Sequence, residues 1–279
     1  MSNQRLKQKL MHPRRRTAGL AGLDTAIILI AFVITASVLA YVAVNMGLFV
    51  TQKAKAVIGN GEAQASTALE VGGSVLYSTN YPTNTKSYWI YFPITPSAGI
   101  SSVQLAPATT SIAFTASAEN VTLSNMYNYT LLTSTTGANI LEQKSGGENY
   151  FFYSSPYAAL IDLNKTVADT AVFQVTASGG HCTTSSASEF NFTYSGTSYN
   201  GCVAKDVAFT FPVAGDPLVG SSIAPAGSVV GVMLLFGPST GKNVFQYQNI
   251  QVEITPNIGS SLALSLYVYQ PDGTVTSIG

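Results

Sequence analysis

Residues 20–55 read LAGLDTAIILIAFVITASVLAYVAVNMGLFVTQKAK, and this stretch decides what kind of molecule the chain is. Residues 25–52 run without a single charge, and 26–49 are apolar throughout except for Thr35, Ser37, Asn45 and Gly47. As a helix rising ~1.5 Å per residue, the apolar part is about 36 Å long, enough to cross a hydrocarbon core of about 30 Å. A soluble domain has no ordinary use for such a run.

Upstream, six of the thirteen basic residues fall in the first sixteen positions (Arg5, Lys7, Lys9, Arg14, Arg15 and Arg16), and the first acid is Asp24. Basic residues ahead of an apolar run place residues 1–22 on the cytoplasmic side of a membrane. The segment 17–22, TAGLAG, puts small residues between the charges and the apolar run. A secretory signal has its small residues after the run, which is then discarded. A cut after Gly22 instead removes the charges and leaves Leu23 and the apolar helix as the mature N-terminus. An ordinary cut within the run, at Val38-Leu39-Ala40, and an uncleaved anchor are the alternatives that the residues alone leave open.

Downstream, apolar or small residues recur at Val50, Ala54, Val57, Ile58, Ala65, Ala68 and Leu69, offsets that keep one stripe on a helix face. The pattern predicts a helix from about residue 24 to 71, ended by Gly72-Gly73, with Gly59-Asn60-Gly61 as a place to fray or bend. Such a helix, ~70 Å long at ~1.5 Å per residue, has to bury itself in lipid or among its own copies.

From residue 74 the texture becomes that of strands. Only 9% of the 279 residues are charged. Ser, Thr, Asn, Gly and Tyr take the place of charge, which suits strands and turns. The aromatic run 87–92 lies between Pro82 and Pro93, and Ile250, Val252 and Ile254 alternate with Gln251 and Glu253. Segments 207–211, 228–236 and 262–269 predict further strands, while 134–149, 177–188 and the Pro/Gly-rich 212–227 predict loops or connections. The fold class expected is α+β: a long N-terminal apolar helix followed by an all-β, immunoglobulin-like sandwich or barrel.

Without residues 1–22 the chain holds seven Lys, no Arg and thirteen acidic residues, a net charge of −6. That balance gives no electrostatic footprint for nucleic acid. Catalysis finds no acid–base constellation, since the body's single His181 sits in a Gly/Ser-rich loop without a nucleophile elbow. His181 with Cys182 and Cys202 is too small a set for closed zinc coordination unless carboxylates assist. Asp206 and Asp216 lack the dense spacing of calcium loops. The segment 237–243, GPSTGKN, is one residue too short for a phosphate-binding loop and has no hydroxyl after Lys242, so it predicts a turn. No cofactor or metal is expected.

Two kinds of modification are expected instead. In an exported chain Cys182 and Cys202 can pair, closing a loop of about 20 residues worth roughly 3 kcal/mol. Four sequons, at Asn120, Asn128, Asn164 and Asn191, all lie beyond the helix and point to glycosylated loops and strand edges.

The residues 20–55 quoted above, together with 211–238 (FPVAGDPLVGSSIAPAGSVVGVMLLFGP), 245–248 (FQYQ) and 254–260 (ITPNIGS), resemble the archaeal flagellins, or archaellins, whose helix is similar to that of type IV pilins. The segment from about 120 to 205 carries little of the likeness. The resemblance implies a class III, prepilin-type leader (1–22) cut between Gly22 and Leu23 by a membrane aspartic peptidase. It implies a helix (23–73) packed in the core of a helical homopolymer, and an outer β domain (74–279). Asp24, Ile27, Ile30, Ile34, Val38, Tyr41 and Phe49 are then the core-helix positions. Many pilins have Glu at the fifth mature position, where Ile27 stands here, so charge pairing with a neighbour's N-terminus falls to Asp24. The implied partners are its own copies, the leader peptidase, the membrane before assembly, and an assembly and motor complex in that membrane. The implied setting is an extracellular filament used for swimming. An adhesive pilus subunit and a membrane-anchored binding module are the rival readings.

Overall fold

The computed structural model describes residues 17–65, 68–133, 140–145, 148–167, 170–177, 180–183, 186–215, 221–241 and 245–278. The basic residues of the expected leader, Asp216, Lys242 and Asn243 lie outside them. The chain divides into two compact units, one ending at Asn60 and the other starting at Gly61.

Helix α1 runs from Thr17 to Ala65, 49 residues without interruption. It starts before residue 24 and continues through Gly22, Leu23 and the Gly59-Asn60-Gly61 triplet, where fraying was expected. Backbone hydrogen bonds of a long helix absorb isolated glycines at ~1 kcal/mol each. At its other end the helix stops short of residue 71. Ala68 and Leu69, each 1% exposed, belong to the body. Leu69 opens strand β1 (Leu69–Val71), paired antiparallel with β3 (Ser87–Pro96). The periodic apolar residues of this segment fit a helix face and a strand entry equally, and pairing with β3 decides for the strand.

The body continues with β2 (Val75–Thr79), β3, β4 (Ser102–Gln104), β5 (Ser111–Ala116), β6 (Val121–Leu123) and β7 (Tyr127–Thr130). Then come β8 (Ile140–Ser145), β9 (Glu148–Tyr153), helix α2 (Pro156–Val167), β10 (Phe173–Ala177), β11 (Ser188–Tyr194) and β12 (Thr197–Val203). The chain closes with β13 (Val207–Ala214), β14 (Ile223–Pro225), β15 (Val229–Leu235), β16 (Gln248–Thr255), β17 (Leu262–Val268) and β18 (Val275–Ile278).

A seven-stranded sheet forms the middle, in the order β18-β2-β3-β15-β13-β7 with β1 also on β3. Pro93 lies inside β3, not at its end. It offers no N–H to a ladder, and it falls opposite Gly72-Gly73, where the neighbouring strand passes from β1 to β2. One face of this sheet packs on the four-stranded sheet β17-β16-β5-β6. Ile90, Phe92, Val232 and Leu234 meet Phe114, Ile250, Val252 and Ile254 there. The other face packs on α2 and the three-stranded sheet β10-β12-β11. Trp89, Phe209, Phe211, Met233 and Leu235 meet Leu160, Leu163, Phe190 and Val203 on that side. The body is thus three layers deep, not a simple sandwich, and its central strands are buried on both faces.

Two features depart from the sequence reading. Strands β8 and β9 pair antiparallel where 134–149 was expected to be a loop; pairing from Ile140↔Tyr153 to Ser145↔Glu148 supplies the backbone partners that the Gly-rich local sequence conceals. Helix α2 was not foreseen at all. It begins with Ser155, whose Oγ accepts the Ala158 N–H at 3.2 Å, and with Pro156 in the first turn. Ala159, Leu160, Leu163 and Val167 then bury its inner face.

Two buried tyrosines fasten the layers. Tyr77 Oη lies 2.5 Å from Ser87 Oγ and accepts the Phe245 N–H at 3.2 Å. Tyr127 Oη donates to the Leu105 carbonyl and lies 2.8 Å from Thr210 Oγ1. Burial pushes both hydroxyls up to about 12, against the smaller opposing pull of Ser87 and Phe245 on Tyr77 and of Thr210 and Thr130 on Tyr127.

Candidate functional site

The segment Gly22–Lys55 of α1 has a mean hydropathy of 2.8 in its most apolar window, and none of that window is buried within the chain. Its side chains are apolar on all sides of the helix. Ile27, Ile30, Ile34, Val38 and Tyr41, three or four residues apart, follow one face and are 55–70% exposed. Leu23 and Phe49 extend that face at its two ends, while Leu29, Phe32, Val33 and Leu39 cover other directions and are just as open.

The few hydroxyls in this segment turn back on the helix. Thr25 Oγ1 donates to the Gly22 carbonyl at 3.0 Å and Thr35 Oγ1 to Ala31 at 3.0 Å. Ser37 Oγ donates to Ile34 at 2.8 Å and Thr51 Oγ1 to Gly47 at 2.7 Å. Polar side chains that bond their own backbone ask nothing of the surroundings, so the outer surface suits hydrocarbon or a neighbouring helix. Asp24 stands exposed at the start of this surface. Lys53 closes it, its Nζ 5.6 Å from the centre of the Phe49 ring.

The body carries the other candidate residues. Cys182 and Cys202 form a disulfide with their Cα atoms 5.7 Å apart. It holds the segment 180–183 over the outer face of the three-stranded sheet. There Thr183 donates from N and Oγ1 to Gln174 Oε1, and Thr176 Oγ1 and Asn200 Nδ2 both donate to the Gly180 carbonyl. The sequons are spread apart. Asn120 is exposed in a left-handed turn (φ 53°) after a short 3-10 segment. Asn128 is exposed on β7 and Asn191 on β11, the outer strand of its sheet. Asn164 is half-buried on α2, and its Oδ1 accepts the Val175 N–H at 2.8 Å.

Asp206 has structural employment. Asp206 Oδ1 accepts the Gly237 N–H at 2.8 Å and Oδ2 the Thr240 hydroxyl at 3.0 Å, so its carboxylate ties down the turn after β15. The two cysteines are joined to each other, which removes the thiolates a zinc site with His181 would need. Among the described residues no cluster of three or more His, Cys, Asp or Glu is placed to hold a metal ion.

The family model for archaeal-type flagellin matches residues 19–278. Flagellin FlaB2 of Saccharolobus shibatae is 54% identical, over 97% of this chain and 98% of its own length. Probable flagellin 1 of Aeropyrum pernix is 58% identical, over 22% of this chain and 30% of its own. Among solved structures, the archaeal flagellum of Methanospirillum hungatei aligns with a TM-score of 0.39 at 16% identity, covering 92% of this chain and 98% of that one. Archaeal flagellin FlaB1 of Methanocaldococcus jannaschii aligns with a TM-score of 0.41 at 12% identity, covering 75% and 95%.

Proposed function

The chain belongs to the archaeal-type flagellin family, a family of structural filament proteins and not of enzymes, and from that premise we propose how its helix serves the filament. The protein is a structural subunit of the archaellum, a motility filament on the outside of the cell, and it polymerises with its own copies. The observation that carries the mechanism is the segment Gly22–Lys55, apolar all round and with no buried residue in its most apolar window.

Residues 1–22 act as a leader that a prepilin-type peptidase removes between Gly22 and Leu23. The helix that follows is stored in the membrane, where lipid covers its surface and the basic leader faces the cytoplasm. On assembly it leaves lipid and packs against other copies. Ala, Gly, Ser and Thr permit close approach of the backbones, and Ile27, Ile30, Ile34, Val38, Tyr41 and Phe49 fill the spaces between them. One head-to-tail contact repeated without closure gives an open helical polymer. Asp24 is the first charge of the mature chain and the only acid available to meet a neighbour's amino terminus. The body, from residue 68 onward, lies outside that core and carries glycan at exposed sequons, Asn120, Asn128 and Asn191. Assembly and rotation are supplied by a complex in the membrane.

Mass spectrometry of filaments sheared from cells tests the processing step. The expected N-terminal peptide begins at Leu23; one beginning at Met1 or at Tyr41 overturns it. Deleting the gene is expected to abolish swimming, and retained swimming with lost attachment would transfer the protein to an adhesive fibre.

A further inference from the structure

The body contains a groove that filament formation through the helix does not use. Its larger lobe has a volume of about 820 Å³, with Tyr157, Glu189, Asn191, Ser198, Tyr199 and Asn200 in its walls. A smaller lobe of about 210 Å³ shares Tyr157, Glu189 and Asn191 and reaches Ser78 and Thr79 of β2. Asn191 therefore borders both lobes. It is also the acceptor residue of a sequon, and Thr193, which completes that sequon, lines the larger lobe as well.

The walls are suited to carbohydrate. Glu189 and Ser198 offer a carboxylate and a hydroxyl to sugar hydroxyls, while Tyr157 and Tyr199 offer ring surface to the C–H face of a sugar. The Asn200 amide is held in place by its Nδ2, 3.3 Å from the Gly180 carbonyl and 3.4 Å from Glu189 Oε2. Among the described residues neither lobe is lined by Lys or Arg, His181 being the one basic side chain of the larger lobe, while Glu189 puts a carboxylate in both and so disfavours a phosphate-rich occupant. The larger lobe lies within the range of roughly 300–1,000 Å³ usual for small-molecule sites. Neither lobe is lined by the other sequon residues Asn120, Asn128 or Asn164.

We propose that the glycan linked to Asn191 folds back into this groove and is held by its own subunit. The proposal rests on the glycosylation reading above and adds where one particular glycan lies. Such a glycan also covers the edge of β11 that has no strand partner among the described residues, which would otherwise be open to strand addition from another chain.

The test uses filaments sheared from cells, mapped by glycopeptide mass spectrometry before and after mild periodate treatment, which cleaves exposed vicinal diols. Oxidation of the Asn191 glycan is expected to be at least about fivefold slower in native filaments than after unfolding in guanidinium. Equal rates overturn the groove assignment while leaving Asn191 glycosylated. An unmodified Asn191 overturns the glycosylation reading at this position and the groove assignment with it. Ser198→Trp places a bulky ring in the larger lobe from an exposed strand position. It is expected to keep Asn191 occupied and to remove the protection. Protection that survives Ser198→Trp assigns the shielding to a neighbouring subunit and overturns the proposal.

Discussion

Residues 26–49 of α1 and Val229–Leu235 of β15 are both unbroken apolar runs in all but a few positions, yet they are covered in opposite ways. The most apolar part of the first has no side chain buried within the chain, while six of the seven residues in the second are buried. Strand β15 has two faces, and the chain supplies a layer for each: Val230, Val232 and Leu234 enter one core, Met233 and Leu235 the other. The close approach leaves no room for a side chain at Gly231, where an added Cβ would lie 2.6 Å from the Phe211 ring. Helix α1 presents apolar side chains around its whole circumference. In the proposed function lipid covers such a surface first, and other copies cover it afterwards. An apolar run thus states that cover is needed; its length and period state whether the chain itself can provide it.

The largest effect expected from breaking this contrast is at the helix. Ile34→Lys places a charge near the middle of the apolar segment, which costs about 2.5–3.5 kcal/mol in a membrane. The same defect recurs in every subunit, so filaments should be absent from sheared material under the electron microscope. Filaments in normal yield would remove α1 from the core.

In the body, Phe114→Ala empties a buried cluster in which the Phe114 ring lies 5.0 Å from that of Phe236 and 5.2 Å from that of Phe245. Guanidinium unfolding of the detergent-solubilised subunit should show a loss of about 3–5 kcal/mol. Partitioning of the helix into membranes should be unchanged, since that helix owes nothing to this core.

Removing the disulfide with Cys182→Ser and Cys202→Ser should cost roughly 3 kcal/mol for a loop of that length. The loss should match that seen on reducing the native protein, and a variant as stable as the oxidised protein would sink the expectation.

A smaller effect separates the units by pH. The Tyr77 and Tyr127 hydroxyls are pushed up to about 12 by burial. The unfolded chain, with tyrosines near 10, therefore loses its protons first as pH rises. The contribution of these two hydroxyls to stability is flat well below pH 10 and is lost as pH rises through 10 to 12, by about 1.4 kcal/mol for each tyrosine at pH 11. Tyrosinate absorbance recorded alongside unfolding should show these two hydroxyls titrating only as the body opens.

Much of the body was legible in the sequence where the pattern is local. The alternation at Ile250, Val252 and Ile254 gave β16, and the run 228–236 gave β15. Two cysteines, Cys182 and Cys202, in a chain read as exported suggested a bridge, and the structure contains that bridge. The strand pair β8–β9 and helix α2 were hidden because their cover comes from residues distant in the chain, such as Phe211, whose ring meets that of Tyr153 edge-on at 5.9 Å. The groove at Asn191 was hidden for the same reason. Its sequon is visible in three consecutive residues, while its walls come from α2, β11, β12 and the segment before β18.

The sequence by itself determined the long apolar helix, its basic prelude, the body's poverty in charge and hence a subunit that must be covered by lipid or by its copies. Hydropathy and charge are summed along the chain, so a single strand of text carries them. The tertiary structure alone decided that Ala68 and Leu69 leave the helix for the body, that the central sheet is covered on both faces, and that Asn191 stands in a groove while Asn164 is spent on the backbone of β10. Each of these depends on which backbone group or apolar face lies opposite, and those partners are set by folding, not by neighbours in sequence.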